Sequence, residues 1–213
     1  MRNTTAWRRN ELIKQLLKGR DTLKLWDEIL EKYDGNTSIL WQHIATNIDL
    51  TKYRDYDCPD WFPEFCCFES DYARYIKALL EKNLMPKTII DVGCQYGFQA
   101  ELFRGICTYI GIEKDPSLPK YQPNQTESSI IYLDANFVDL HIDLTGATVI
   151  SNMSIGFFGG VDENVRAIEK LCKCKTLCVS SSADSIEILR HHFDHVEVLF
   201  LNSLHPKYIM WKD

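Results

Sequence analysis

Residues 88–103 read TIIDVGCQYGFQAELF. A short apolar run ends in Asp91, glycines follow at 93 and 97, and the amphipathic segment FQAELFRGI (98–106) starts at once. This is the pattern of a buried strand that turns sharply into a short helix. Gly93 gives the backbone freedom for the turn and leaves no Cβ in the way of an approaching ligand. The helix that follows would face that ligand with free N–H groups. In an open α/β sheet, ligands bind at the carboxyl ends of the strands. Residues 91–97 are therefore candidate ligand-binding residues.

The pattern continues to the C-terminus. TYIGIEKD (108–115) reads as a second strand, SIIYLDA (129–135) as a third and ATVISNM (147–153) as a fourth. Pro116, Pro119 and Pro123 make a regular crossover helix between the second and third strands improbable. VDENVRAIEKLCKC (161–174) reads as a helix, with Val165, Ile168, Leu171 and Cys172 on its apolar side. TLCVSSS (176–182) is a fifth strand and DSIEILRHHF (184–193) a helix, with Ser182 or Asp184 as its N-cap. HVEVLFLN (195–202) and KYIMWKD (207–213) are two last strands. The loop between them is too short for a parallel crossover, so they should pair antiparallel. Such alternation predicts an α/β fold with a seven-stranded, mostly parallel sheet and an antiparallel C-terminal hairpin.

Residues 1–84 differ from residues 85–213, and the chain divides there into an N-terminal helical extension and an α/β domain. Helices are expected over NELIKQLLKGRDTLKLWDEILEKY, over residues 38–48 and over residues 69–84. Between them lies an aromatic-rich stretch with Tyr53, Tyr56, Trp61, Phe62, Phe65, Phe68 and Tyr72. It reads as packing against the sheet or as a lid over a planar ligand.

The chain has 213 residues and a formal net charge of −6, a poor match to a broad nucleic-acid surface. The first twenty residues run the other way: Arg2, Arg8, Arg9, Lys14, Lys18 and Arg20 stand against Glu11 alone. They read as a solvated helix face or as an arm for an acidic partner such as RNA. No apolar leader and no membrane-length run is visible, so a soluble, cytoplasmic protein is expected. The eight cysteines include no paired C-x-x-C arrangement, and no metal site is expected. The histidines of RHHFDH (190–195) read as a solvated helix end.

The turn after the first strand excludes two common nucleotide motifs. It lacks both the three-glycine dinucleotide fingerprint and the G-x-x-x-x-G-K-[ST] phosphate loop. Asp91-Val92-Gly93-Cys94-Gln95-Tyr96-Gly97 instead resembles the first motif of class I S-adenosylmethionine-dependent methyltransferases, commonly D-V-G-C-G-x-G. Gln95 replaces the middle glycine, a position that family varies.

The resemblance covers residues 85–213 and implies a Rossmann-like methyltransferase sheet. It implies S-adenosylmethionine as cofactor, with S-adenosylhomocysteine as product. Asp91, Gly93, Cys94 and Gly97 would form the cofactor turn, and Glu113, ending the second strand, would hold the ribose hydroxyls. Asp134, with Ala135 beside it, would lie near the adenine amino group, and Ser151 and Asn152 under the reactive methyl. No catalytic residue is identified. The N-P-P-Y motif of amino-group nucleic-acid methyltransferases is absent, since Met153 and Ser154 stand after Asn152. No Pro-Cys pair supplies the nucleophile for cytosine chemistry.

Three readings stay open. The first is a methyltransferase acting on a small molecule or a protein side chain. The second is an RNA methyltransferase using the basic N-terminal arm. The third is a catalytically inactive member of the fold, serving as a binding or scaffold protein.

Overall fold

The computed structural model of the chain describes residues 72, 74–95, 97–103, 106–117, 120, 129–157, 159–200 and 206–213. The expected helices before residue 69, the aromatic stretch up to Phe68, the basic arm, Tyr96, Pro119 and Pro123 lie outside the described residues.

The expected strands form where apolar residues run in short stretches bounded by turns. They are β1 (Thr88–Val92), β2 (Thr108–Glu113), β3 (Ile130–Asp134), β4 (Thr148–Asn152), β5 (Thr176–Ser180), β6 (His195–Phe200) and β7 (Lys207–Trp211). They make one sheet in the order β3-β2-β1-β4-β5-β7-β6. The five strands from β3 to β5 are parallel. β7 inserts antiparallel between β5 and β6. The antiparallel hairpin expected from the short final connection is therefore present.

The order reverses beside β1. The chain steps outward from β1 to β2 and β3, then returns to lay β4 on the other side of β1. That leaves a crevice between the turns following β1 and β4, the switch point at which sheets of this kind take up ligands.

Side chains alternate across each strand. Ile90, Val92, Ile112, Val149, Leu177, Val179 and Met210 point to one face, with Leu171 and Leu189 from the helices that cover it. Those helices are α2 (Val161–Leu171) and α3 (Ala183–Arg190). The opposite face holds Ile89, Tyr109, Ile150, Cys178 and Ile209, covered by Tyr72, Tyr75, Ile76 and Leu79 from the N-terminal side. Residues 74–81 are helical there and are called α1. Each large apolar side chain fully buried in these layers contributes about 1.5–3 kcal/mol.

Three local expectations change. Residues Phe98–Phe103 form a 3-10 helix rather than an α-helix. The Ala100 amide bonds back to the Gly97 carbonyl, three residues away, which tightens the turn. In α2, Val165 is 47% exposed, and Ala167 joins Ile168 and Leu171 in the core. The buried stripe is thus rotated toward the small Ala167, which permits close approach to the sheet. α3 ends at Arg190 with His191 as C-cap, short of Phe193, and Ser182 caps its start by accepting from the Ser185 amide.

Among the described residues, no helix is long and apolar enough to cross a membrane. Within them also, no three His, Cys, Asp or Glu side chains are grouped to share a metal ion.

Candidate functional site

The turn after β1 follows a left-handed path that only permissive residues adopt readily. Gly93, Gln95 and Gly97 have φ of 77°, 51° and 74°. Its amides are largely occupied. Those of Gly93 and Cys94 donate to the Ile112 carbonyl at 2.8 and 3.1 Å, and that of Gly97 donates to the Cys94 carbonyl at 2.9 Å. The Gln95 amide donates to Glu113 Oε2 at 2.9 Å. The amides of Gly93, Cys94 and Gln95 thus fasten the turn to β2, and that of Gly97 closes the turn on itself.

The glycines also serve a different neighbour from the one expected. A Cβ at Gly93 would overlap Ser154, and one at Gly97 would overlap the Tyr132 ring. Ser154 follows β4; its hydroxyl donates to the Val92 carbonyl at 2.6 Å and bonds Ser151 Oγ at 2.9 Å. The Tyr132 hydroxyl donates to the Gly97 carbonyl at 2.8 Å. The close approach allowed by both glycines is to the chain itself.

Asp91 lies under this turn and is fully buried. Tyr72 donates to its Oδ1 at 2.9 Å, Gln99 Nε2 donates to its Oδ2 at 2.8 Å, and Tyr109 donates to Oδ2 as well. Burial pushes the carboxyl up to about 6 against the pull of these three donors, and the Glu113 charge adds to the rise. Burial, reinforced by the Asp91 charge, raises the Tyr72 and Tyr109 hydroxyls well above the usual phenol range. Cys94 is buried among the same groups, and its thiol is raised first by burial and then by Asp91. Its backbone is committed as well: the amide donates to Ile112 and the carbonyl accepts from Gly97 and Gln99.

Glu113 ends β2 with its carboxylate 9% exposed as a residue. Besides Gln95, it accepts from the Asp115 amide at 3.1 Å. A carboxylate has about four lone-pair sites, so two accepting directions remain for hydroxyl donors. Asp134 stands opposite Glu113 in the β2–β3 register. It is exposed and pairs with Lys120 Nζ at 3.3 Å. The Ala135 amide bonds the Glu113 carbonyl at 2.9 Å, locking the ends of β2 and β3 together.

Across the crevice, Ser151 and Asn152 end β4, both buried. Asn152 Oδ1 accepts from the Tyr75 hydroxyl at 3.1 Å. Met153 follows in the left-handed region with φ of 56°. Tyr72, ahead of α1, and Tyr75, within it, therefore reach the two sides of the crevice: Tyr72 bonds Asp91 and Tyr75 bonds Asn152 (spacing i, i+3).

Sequence reasoning missed the tyrosines. In the sequence Tyr72 reads as packing against the sheet or as part of a lid, and it does pack on the sheet; Tyr75, Tyr109 and Tyr132 carry no motif. Their one signal was a hydroxyl on residues facing a buried side, which needs a polar partner. Gln99, Ser154 and Gly111 were also missed. At Gly111 a Cβ would come within 2.7 Å of Cys94 Sγ, so the missing side chain makes room for Cys94 and the two tyrosines beside it.

Set against an adenosine-bearing cofactor, the residues fit on the β2–β3 side. There Glu113 retains accepting capacity for two hydroxyls, and the exposed Asp134 can accept from an amino group. On the β1–β4 side, Ser154 packs against Gly93 and narrows the crevice.

No protein-family model matches the sequence, and no curated protein matches it. Solved structures do match the fold. The N-methyltransferase NodS from Bradyrhizobium japonicum, in complex with S-adenosyl-L-homocysteine, is 11% identical, with TM-score 0.54 over 81% of this chain and 98% of that one. The magnesium protoporphyrin IX methyltransferase ChlM from Synechocystis, with bound S-adenosylmethionine, is 10% identical, with TM-score 0.51 over 80% of this chain and 94% of that one. The methyltransferase domain of a bacterial Hen1 is 11% identical, with TM-score 0.52 over 65% of this chain and 96% of that one. The chain is similar to these in fold, and that fold is the one of the class I S-adenosylmethionine-dependent methyltransferases.

Proposed function

We propose that the chain binds S-adenosylmethionine at the carboxyl ends of β1, β2 and β3 and transfers its methyl group to a small molecule or a protein side chain. The observation that carries this is Glu113: a buried strand-end carboxylate beside the left-handed turn 93–97, at the switch point of the sheet, with accepting capacity to spare. A carboxylate there can hold both ribose hydroxyls. The fold's solved members with bound S-adenosylmethionine or S-adenosylhomocysteine support the same ligand.

When bound, the cofactor supplies a methyl group already activated on a sulfonium sulfur. The chain's task is to orient and to exclude water. In this reading Glu113 and Asp134 hold the nucleoside, and the turn 93–97 bounds the cofactor's other end. Asp91 fixes the turn through Gln99, which donates both to Asp91 and to the Cys94 carbonyl. Ser151 and Asn152 form the floor on which the acceptor is placed, with Asn152 held by Tyr75.

One observation favours a second reading, a non-catalytic binding protein. The turn's amides and both glycine spaces are filled by the chain's own groups, which leaves the β1–β4 side narrow. The basic arm behind an RNA substrate lies outside the described residues and adds no weight to that alternative.

Labelled methyl transfer to small-molecule and protein acceptors separates the readings. Turnover by the full chain, lost in the Asp91→Ala, Gly93→Arg double variant, supports the enzyme. Cofactor binding with no turnover on any acceptor class supports the binding protein.

A further inference from the structure

β3 and β4 are parallel strands of one sheet, with β2 and β1 between them. Parallel strands are usually joined through a crossover helix. Here the connection, residues 135–147, holds the 3-10 turn Phe137–Asp139 as its one regular element. No helix of that connection covers the adjoining flank of α2, and a cleft of about 490 Å³ lies between them. One wall is the connection itself. Val138, Leu140, Ile142 and Leu144 line it, every second residue along the chain, with His141 among them. The other wall is α2 and the turn that follows it, with Arg166, Glu169, Lys170 and Lys173. Spacings of three and four place these side chains on one helix face. One wall is therefore aliphatic and the other mostly cationic.

The cations are unevenly met. Arg166 pairs with Asp139 at 3.2 Å. Lys170 donates to the Phe137 carbonyl at 2.6 Å and to the Leu140 carbonyl, which pins its ammonium between the two walls. Partial burial lowers that ammonium below the usual lysine range; Asp139 raises it, and the neighbouring Lys173 charge lowers it again. Lys173 is exposed, and its ammonium has neither a hydrogen bond nor an ion pair among the described residues. Two like charges thus stand together, and Glu169 is the one acid that lines the cleft with them.

We propose that this cleft binds a small amphipathic anion, a carboxylate on an aliphatic body, with the headgroup at Lys173 and the body along Val138, Leu140 and Ile142. The unpaired ammonium calls for a negative charge. The aliphatic wall calls for an apolar body, since its three half-buried side chains otherwise face water. The volume falls in the range of roughly 300–1,000 Å³ usual for small-ligand sites. The nine lining residues are fewer than the roughly 20–30 that a protein partner engages on each side. None of the nine belongs to the crevice at the carboxyl ends of β1 to β4, so the inference stands apart from the S-adenosyl reading.

The test titrates the full chain with decanoate below its micellar range, and with decanol and acetate as its two halves, in wild type, Lys173→Glu and Lys173→Arg. Wild type is expected to bind decanoate at least about tenfold more tightly than either half. Lys173→Glu should lose about tenfold or more in decanoate affinity, and Lys173→Arg, which keeps the charge, should stay within about threefold. Because Lys173 is exposed and unpaired, both variants should fold as wild type does. Equal decanoate binding by wild type and Lys173→Glu would overturn the proposal, as would wild type that prefers neither decanoate nor its halves. Displacement of decanoate by S-adenosylhomocysteine would place it in the crevice and overturn the separate site. A hexaglutamate peptide that binds the cleft more tightly than decanoate would overturn the small-ligand reading and mark a surface for an acidic protein segment.

Discussion

On the face covered by α2 and α3, the sheet presents Ile90, Val92, Ile112, Val149, Leu177 and Val179, an unbroken apolar layer. On the face covered by α1, the neighbouring positions of the same strands bring Asp91, Tyr109, Tyr132 and Asn152. Burying polar groups costs free energy unless every one is bonded. Here each has a partner: Tyr109 donates to Asp91, Tyr132 donates to the Gly97 carbonyl, and Asn152 accepts from Tyr75. The apolar face holds the sheet together. The polar face accepts a cost in stability where the turns must be held in one geometry, a pattern common at functional sites.

That contrast makes graded predictions. The largest loss belongs to the apolar face. Leu177→Ala should lower unfolding free energy by about 3 kcal/mol in denaturant melts, with ligand affinity of the folded protein unchanged.

Asp91→Asn should do the opposite on the polar face, raising stability at pH 7 by on the order of 2 kcal/mol. The sign follows from the carboxyl's elevation from 3.8 to about 6 in the folded chain. The folded state then binds the proton more tightly than the unfolded state. The stability this contributes is fully present below about 3.8 and is lost as pH rises through about 6. The advantage of Asp91→Asn over wild type should therefore be small at pH 4 and full by pH 7. A constant advantage across that range would contradict a buried, elevated carboxyl.

Tyr109→Phe removes one donor and leaves the charge in place, so a loss of about 1–2 kcal/mol is expected at pH 7. It should also move the Asp91 transition to higher pH, because a hydrogen bond that lowers the carboxyl is gone. Val165→Ser should change stability by less than about 0.5 kcal/mol, since Val165 is 47% exposed.

The sheet was legible in the sequence because strand and helix periods depend on neighbours in the chain. TIIDV, TYIGIE and TVISN each announce a buried strand, and the short final connection forces its pair antiparallel. Glu113 and Asp91 were legible as strand-end acids. The polar face was not, because its bonds join distant residues: Tyr72 to Asp91, Tyr109 to Asp91 and Tyr75 to Asn152. The same holds for the glycines. Gly93 was readable as a turn residue, but its neighbour Ser154 comes from the far side of β4. In α2 the periodicity marked a helix, yet it could not say which of two adjoining stripes would meet the sheet, and Val165 fell on the wrong one.

The central claim is that the strand-end carboxylate of β2 holds a nucleoside cofactor. Calorimetric titration with S-adenosylhomocysteine, comparing wild type with Glu113→Ala of equal helical content, tests it most directly. Binding in the micromolar range, weakened at least about a hundredfold by the substitution, is the result predicted. Folded wild type that releases no heat, or a Glu113→Ala variant that binds as tightly as wild type, would contradict it.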